Sequence, residues 1–240
     1  MRILRRGRRS AATTSGVPGS LVPVDATGGD RLDLRTIQAR ADREIEFGRI
    51  VAFSDGVMAI AITLLVLNIE TPDLPIGRED ELTAGLLRQW PDVLSYAFSF
   101  AVIGRFWIVH HRFFGALERF DPGLVVLNLL FLALIAIVPF TTDVLDRYGQ
   151  EPAAPMLYAL VLALAGLANW AMISHALRRD LVRPEDRAAT LPFAARRSLI
   201  PPAIFIASIP IALISATAAE LSWLLIFFVV VVRRARGRGR

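Results

Sequence analysis

The chain has 240 residues, of which 54% are hydrophobic, and its mean hydropathy is +0.50. This composition, with several long apolar runs, indicates an integral membrane protein and excludes an ordinary soluble domain. Cysteine is absent, which excludes disulfides, thiolate metal sites and cysteine nucleophiles. The 27 basic residues are all arginine and, with 22 acidic residues, give a net charge of +5, so their positions matter more than their total.

Residues 1–44 begin with an arginine-rich stretch and continue through Ser, Thr, Gly and Pro. No apolar run of signal-peptide length follows the basic start, so a secretory signal is not predicted. We interpret this segment as a mostly disordered cytoplasmic tail that attracts anionic lipid. Nucleic-acid binding is the weaker alternative, because no aromatic residues are interleaved with the arginines. Within it, a mixed charged and apolar helix is predicted over residues 34–47, leading into the first span.

The apolar runs predict an all-α integral membrane protein with six transmembrane helices per subunit. The transmembrane domain is expected over residues 45–233, followed by a basic cytoplasmic tail over 234–240. Three prolines, Pro201, Pro202 and Pro210, are expected to kink the fifth span, which a helix bundle tolerates. The predicted spans are residues 49–69, 91–113, 123–145, 155–177, 198–214 and 217–232.

Arginine placement predicts the orientation of the spans. With six spans, both termini share one side with the loops 114–122 and 178–197. The arginines outside that side are Arg78, Arg88, Arg105 and Arg147. The positive-inside rule then puts both termini in the cytoplasm, with the protein in the cell membrane. The opposite loops are acidic and would attract cations to a mouth, although loop solvation explains any single acid more simply.

The first span carries polar residues where a membrane helix normally has none. At about 1.5 Å per residue, residues 49–69 are long enough to cross a bilayer, yet Ser54 and Asp55 lie in the first third. A carboxylate at that depth costs about 3 kcal/mol on insertion scales, so it needs a partner or a water-filled path.

Helical periodicity separates this span into two faces. An apolar stripe at spacings of three or four includes Phe53, Val57, Ile60, Leu64 and Leu67, with Gly56 and Thr63 beside it. From Asp55 to Ile60 the helix turns about 140°, so the carboxylate points away from the centre of the stripe. One face is therefore predicted to pack around an axis, and the other to be satisfied by neighbouring helices.

Polar residues on the next two spans fall at the same depth. Trp107, His110 and His111 lie near the end of the second span, and Asn128 lies near the start of the third. All are within about 10 Å of the predicted cytoplasmic boundary. We predict that they form, with Ser54 and Asp55, a hydrogen-bonded network that joins the first three spans.

The adjacent histidines leave two other interpretations open. Zinc binding is the weaker one, because neighbouring residues on a helix diverge by about 100° and do not easily share one ion. A proton relay through Asp55 and His110 or His111 is the stronger one, because imidazole titrates near neutral pH. A purely structural network remains the preferred interpretation.

The residues Arg49, Phe53, Ser54 and Asp55 form an Arg-x-x-x-Phe-Ser-Asp sequence that continues Gly-Val-Met-Ala-Ile-Ala-Ile-Thr-Leu-Leu-Val-Leu. This sequence resembles the prokaryotic branch of the transmembrane protein 175 potassium-channel family. The later stretches with Trp107, with His110-His111-Arg112 and with Asn128 resemble it too, and the resemblance covers about residues 44–235. The basic N-terminal tail is not part of the family pattern.

The resemblance implies a homotetramer of six-span subunits in the lipid bilayer, with the first span lining a pore. It implies an apolar constriction at Ile60, further pore-facing positions at Leu64 and Leu67, and a hydroxyl at Thr63. The implied function is passive, potassium-preferring cation conduction, with K⁺ as the permeant ion and neither a cofactor nor nucleic acid. The signature residues would form a structural network behind the pore, namely Arg49, Phe53, Ser54 and Asp55.

The alternative hypothesis is a proton-coupled transporter that uses an Asp/His relay. The two halves of the sequence lack an evident inverted repeat, which weakens this hypothesis. An enzyme is not predicted, since the sequence contains no His-Glu-x-x-His, Gly-x-Ser-x-Gly or Gly-rich phosphate loop.

Overall fold

The computed structural model describes residues 29–73, 81–189 and 191–225. The chain divides into two compact units, Met1–Arg43 and Glu44–Arg240. Helix α1 begins at Gly29, five residues before the helix that the sequence predicts over residues 34–47. Residues 1–28 and the predicted tail at 234–240 lie outside the described residues.

The described residues are almost entirely helical. α1 is followed by a 3₁₀ turn, Leu65–Asn68, and the last helical stretch is residues 216–225. The isolated bridge between Leu117 and Val182 is the β-pairing of the described part of the chain. The helices are α1 (Gly29–Leu64), α2 (Leu82–Arg88), α3 (Trp90–Gly115), α4 (Pro122–Ala136), α5 (Val138–Tyr148), α6 (Ala153–Arg178), α7 (Pro184–Ala189), α8 (Leu191–Ser198) and α9 (Ile200–Ala212).

Four helical stretches in the described part of the chain are long and apolar enough to cross a membrane. They coincide with the first four predicted spans and are Arg35–Asn68, Trp90–Gly115, Pro122–Tyr148 and Ala153–Arg178. The predicted fifth span corresponds to α9, which has only 13 residues. The predicted sixth span is helical over residues 217–225, and its remainder lies outside the described residues.

Local sequence explains where the third span begins and bends. Asp121 caps α4, because its Oδ1 accepts a hydrogen bond from the N–H of Leu124 at 2.8 Å, and Pro122 follows at the first helical position. The helix breaks between α4 and α5, where Pro139 lacks an amide proton. The Nδ2 of Asn68 donates to the carbonyl oxygen of Pro139 at 3.1 Å, so the end of the first span is attached to this bend.

Helix α6 occupies the centre of the packing and contacts α4, α5, α8 and α9. Its buried face is rich in alanine, which lets neighbouring helices approach closely. At Gly166 the ring of Pro202 from α9 fills the space that a Cβ would take. The last helical stretch adds Trp223, which lies 5.0 Å from the ring of Tyr158 and donates from Nε1 to Ser208 Oγ at 2.9 Å.

Candidate functional site

Helix α1 has one face inside the subunit and one face outside it. The inner face is fully buried at Ser54, Met58 and Leu65. The predicted stripe lies on the other face, where Ile60 is 61% exposed and Leu67 is 71% exposed. Large apolar side chains that point away from the core of their own subunit need lipid or another subunit as a neighbour.

Behind this stripe, a continuous chain of hydrogen bonds joins α1, α3 and α4. The hydroxyl of Ser54 donates to the carbonyl of Ile50 at 2.9 Å and accepts from Asn128 Nδ2 at 2.9 Å. Asn128 Oδ1 lies 2.8 Å from His110 Nε2. The amino group of Asn128 donates to Ser54, so the atom of Asn128 that faces His110 is its carbonyl oxygen, which can only accept. Nε2 of His110 therefore carries the proton of this hydrogen bond. Ser54, His110 and Asn128 are each 0–1% exposed, so this chain satisfies polar groups that have no access to water.

Aromatic rings enclose the histidine of this chain. His110 stacks on Phe114 with ring centroids 4.2 Å apart and on Phe131 at 5.5 Å. The imidazole therefore contacts two apolar rings and has one hydrogen-bonded edge. This arrangement favours a fixed, structural orientation of His110.

The carboxylate of Asp55 has a separate partner. Its Oδ1 accepts a hydrogen bond from Trp107 Nε1 at 2.9 Å. The indole of Trp107 in turn stacks on His111 at 5.3 Å. The structure thus brings Ser54, His110 and Asn128 into one chain and Asp55 and Trp107 into a second contact, while His111 only supports the indole.

The other two signature residues take a different position. Among the described contacts, Arg49 and Phe53 are exposed and do not enter the hydrogen-bond chain. Both line an open cleft of about 390 Å³ between α1 and α4, together with Glu46, Ile50, Val125, Asn128 and Leu129. The spacing in the sequence could not separate these two from Ser54 and Asp55, because all four fall within two turns of one helix.

At the opposite end of the first span, acidic residues surround one arginine. Arg147 NH2 lies 2.6 Å from Glu70 and its Nε lies 2.9 Å from Asp143. The predicted acidic rim is therefore partly neutralised by Arg147, one of the few arginines on that side. Exposed pairs of this kind contribute little to stability.

Sequence reasoning missed several groups of contacts, and two of them involve aromatic rings and buried hydroxyls. An aromatic cluster joins α1 to the loop before α4, with Phe47 stacked on Phe114 and on Phe120. A buried hydroxyl group lies between α3, α5 and α6, where Ser99 Oγ is 3.0 Å from Thr142 Oγ1 and 2.9 Å from Tyr158 OH. A serine and a threonine in separate spans carry no spacing that predicts their pairing.

Comparison with known proteins places this arrangement in a family. The family model described as "Endosomal/lysosomal potassium channel TMEM175" matches residues 49–139. A potassium channel of Streptomyces collinus is 44% identical over 139 residues, which is 55% of this chain and 66% of that protein. A potassium channel of Chamaesiphon minutus is 41% identical over 153 residues, which is 61% of this chain and 75% of that protein.

A more distant relative and a solved structure point to the same family. The bovine endosomal/lysosomal proton channel TMEM175 is 30% identical over 142 residues, and the match spans only 30% of its length. The crystal structure of a lysosomal potassium-selective channel TMEM175 homolog from Chamaesiphon minutus superimposes with a TM-score of 0.68 at 30% identity. That superposition covers 78% of this chain and 97% of the other.

The family model matches the first two predicted spans, most of the third and the residues of the hydrogen-bond chain, and two prokaryotic relatives match over most of their length. The chain is thus a multi-pass membrane protein of a channel family rather than an enzyme. It belongs to the TMEM175 family.

Proposed function

We propose that this protein is a potassium-preferring cation channel in which four copies of α1 line the pore. The observation that carries the proposal is the exposed stripe on α1, whose opposite face is buried and hydrogen-bonded. A helix held so firmly by one face presents the other face in a fixed orientation. The names of the prokaryotic relatives, which are potassium channels, support the same function.

The constriction follows from the side chains of the stripe. Four copies of Ile60, with four of Leu64 one turn further on, would make a narrow apolar neck. Such a neck opens and closes by wetting and dewetting, because it offers no charged plug and no ring of carbonyl oxygens. Leu67 would continue the same lining toward the outer mouth.

Thr63 adds the nearest oxygen to this neck. Its hydroxyl donates to the carbonyl of Ile60 at 2.9 Å, so the proton points along the helix. The lone pairs of Oγ1 therefore remain available to a passing cation. A ring of four hydroxyl oxygens beside an apolar neck is expected to give modest selectivity rather than the strong selectivity of a carbonyl filter.

The full assembly is part of the proposal. We infer six spans per subunit, with α9 and the helix from residue 216 as the fifth and sixth, and both termini in the cytoplasm. Membrane lipid would contact the outer helices, and no cofactor would be needed. The uneven distribution of arginine supports this orientation.

A planar bilayer with potassium on one side and sodium on the other tests the proposal. We expect discrete current steps that reverse toward the potassium potential. Ile60→Asn should raise unitary conductance, because a polar ring keeps the neck wet. Val126→Asn is a matched control, since Val126 on α4 is 64% exposed and lies outside the stripe. Equal conductance in wild type and Ile60→Asn would contradict an apolar neck at Ile60.

Proton-coupled transport is the second candidate, and the name of the bovine relative, a proton channel, keeps it in consideration. It predicts a proton-driven flux into liposomes that Asp55→Asn abolishes. The geometry disfavours a relay, because Asp55 is hydrogen-bonded to an indole N–H and His110 is hydrogen-bonded to an amide. Neither an indole nor an amide relays protons. Full flux in Asp55→Asn would exclude the relay.

A further inference from the structure

Two loops at the end of the bundle that carries Asn128 are joined by backbone hydrogen bonds. Leu117, between α3 and α4, pairs with Val182, between α6 and α7. The N–H of Glu118 donates to the carbonyl of Leu181 at 2.8 Å, and the N–H of Arg183 donates to Ala116 at 3.1 Å. Residues 116–121 and 179–183 therefore form one unit, called here the double loop.

A hydrogen-bonded histidine–carboxylate pair joins the double loop to α6. His175 Nε2 on α6 is 2.9 Å from both carboxylate oxygens of Asp121, which also caps α4. A Cβ on Gly123 would lie 2.9 Å from Cε1 of His175, so only glycine leaves room for the ring in this position. The side chains of His175 and Asp121 are 17% and 28% exposed, so water screens the pair only in part.

The double loop contacts α1 through aromatic rings. Phe120, the residue before Asp121, stacks on Phe47 of α1 with centroids 5.9 Å apart. Phe47 also stacks on Phe114 at 6.1 Å, and Phe114 stacks on His110. Phe120, next to Asp121 in the chain, therefore connects the double loop to α1 through ring contacts.

Among the charged side chains around this pair, His175 is the one whose charge can change near neutral pH. Asp121 faces it from α4, and no other acidic side chain contacts it among the described residues. The remaining charged side chains of the neighbouring loops and helices are Glu44, Glu46 and Arg49 on α1 around Phe47, Arg112 at the end of α3, Glu118 and Arg119 before α4, Arg178 and Arg179 at the end of α6, Asp180 and Arg183 in the double loop, Glu185, Asp186 and Arg187 on α7, and Arg196 and Arg197 on α8. Arg187 is paired with Asp180, and Arg119 donates to the Asp180 carbonyl at 3.0 Å. Imidazole is the side chain among these that ordinarily changes charge between pH 5 and 8.

We propose that the Asp121–His175 pair is a proton-sensitive tie that holds the double loop in place and, through Phe120, also the part of α1 around Phe47. A neutral imidazole donates one hydrogen bond to the carboxylate. A protonated imidazole keeps that hydrogen bond and adds the attraction between two opposite charges. Acidification on this side of the membrane tightens the tie, restrains α1 and lowers the rate at which the neck opens. The effect on conduction rests on the proposed channel function, whereas the tie itself does not.

Hydrogen–deuterium exchange of the full chain in lipid nanodiscs tests the tie without reference to current. After correction for the intrinsic pH dependence of exchange, the amides of residues 116–121 and 179–183 should be about fivefold better protected at pH 6 than at pH 8. His175→Gln keeps a donor of similar reach but cannot change charge, so this pH response should disappear. Asp121→Asn keeps the helix cap and should also remove the response. An unchanged pH response in both variants would overturn the proposal.

A second measurement covers the case in which His175→Gln does not fold. The imidazole nitrogens of ¹⁵N-histidine-labelled wild-type protein report the charge of each ring. The signal assigned to His175 should differ between pH 6 and pH 8, the two conditions of the exchange experiment, and should change in parallel with protection of the double loop. A His175 signal that is the same at both pH values would overturn the proposal.

Bilayer currents with pH changed only on the side of the double loop separate the two proposals. We expect open probability to fall several-fold on acidification in wild type and to be unaffected by pH in His175→Gln. If hydrogen exchange depends on pH but the bilayers show no current, the result supports the tie and contradicts the channel. Potassium currents with no exchange response would support the channel and overturn the tie.

Discussion

Among single residues, Asn128 has the most demanding position, because one amide group satisfies two buried partners on two other helices. Ser54 contributes one and His110 the other. An asparagine in an apolar span predicts that some buried polar group lies opposite it. Which group that is depends on the rotation of three helices about their axes, and this is why His110 and His111 could not be distinguished from the sequence.

Replacing Asn128 by Leu should destabilise the subunit strongly. The change leaves Nε2 of His110 and the lone pair of Ser54 without partners, and each buried unsatisfied group costs about 1–3 kcal/mol. Thermal unfolding in detergent should therefore shift down by at least about 5 °C. Leu129→Ala is the control, because Leu129 is the next residue along and is exposed. Equal unfolding temperatures for Asn128→Leu and Leu129→Ala would contradict a structural role for the chain.

The pKa of Asp121 predicts a pH dependence of stability. Partial burial raises this pKa, but the hydrogen bonds from the Leu124 N–H and from His175 outweigh it, so the pKa lies below its ordinary value. The folded protein therefore binds a proton at Asp121 less readily than the unfolded chain does. The stabilisation is complete above the unfolded pKa of about 3.9 and is lost as pH falls through the lower folded value.

This dependence can be measured as the unfolding temperature between about pH 2 and pH 6. Asp121→Asn should flatten the acid limb of the curve while keeping the cap of α4. The exposed Glu118→Gln, three residues earlier, should leave the limb unchanged. A steep acid limb that persists in Asp121→Asn would show that other carboxylates produce it.

At the scale of the helix, the two faces of α1 illustrate what periodicity can and cannot predict. The spacing of three and four predicted a stripe of five residues, Phe53, Val57, Ile60, Leu64 and Leu67. The structure has four of them exposed, whereas Val57 is only partly exposed and packs against the core. Periodicity did not predict that Arg49 and Phe53 would line an open cleft. Their environment is created by α4, which is more than 70 residues away in the chain.

The crossing of α6 and α9 provides a prediction at this scale. Gly166→Ala should destabilise the subunit by about 1–3 kcal/mol, because the new methyl group overlaps the rigid ring of Pro202. Gly104→Ala on α3 is the matched control, since a Cβ there meets nothing within 4 Å. That variant should be neutral or slightly stabilised, as alanine favours helix over glycine. Unfolding temperatures in detergent compare the two, and equal losses would contradict close packing at Pro202.

At the scale of the whole molecule, the exposed stripe needs a neighbour, and the proposed tetramer supplies one. The absence of cysteine makes this testable, because any introduced thiol is the only one in the chain. Leu67→Cys should form disulfide-linked dimers on mild oxidation, since its four copies would face a common axis. Leu160→Cys, exposed on α6, should remain monomeric on a non-reducing gel. Cross-linking at Leu160 but not at Leu67 would place the subunit interface away from α1.

The amino-acid sequence alone determined the membrane class, the first four spans and that polar residues of the first three spans lie at one level. These are local properties: the length of an apolar run and the position of polar residues along it can be counted without knowing which helices are neighbours. Only the tertiary structure decided that His110 rather than His111 reaches Asn128, that Trp107 satisfies Asp55 and that His175 pairs with Asp121. Each of these depends on how helices distant in the chain are rotated and placed against one another, and that is set by the packing of all their side chains together.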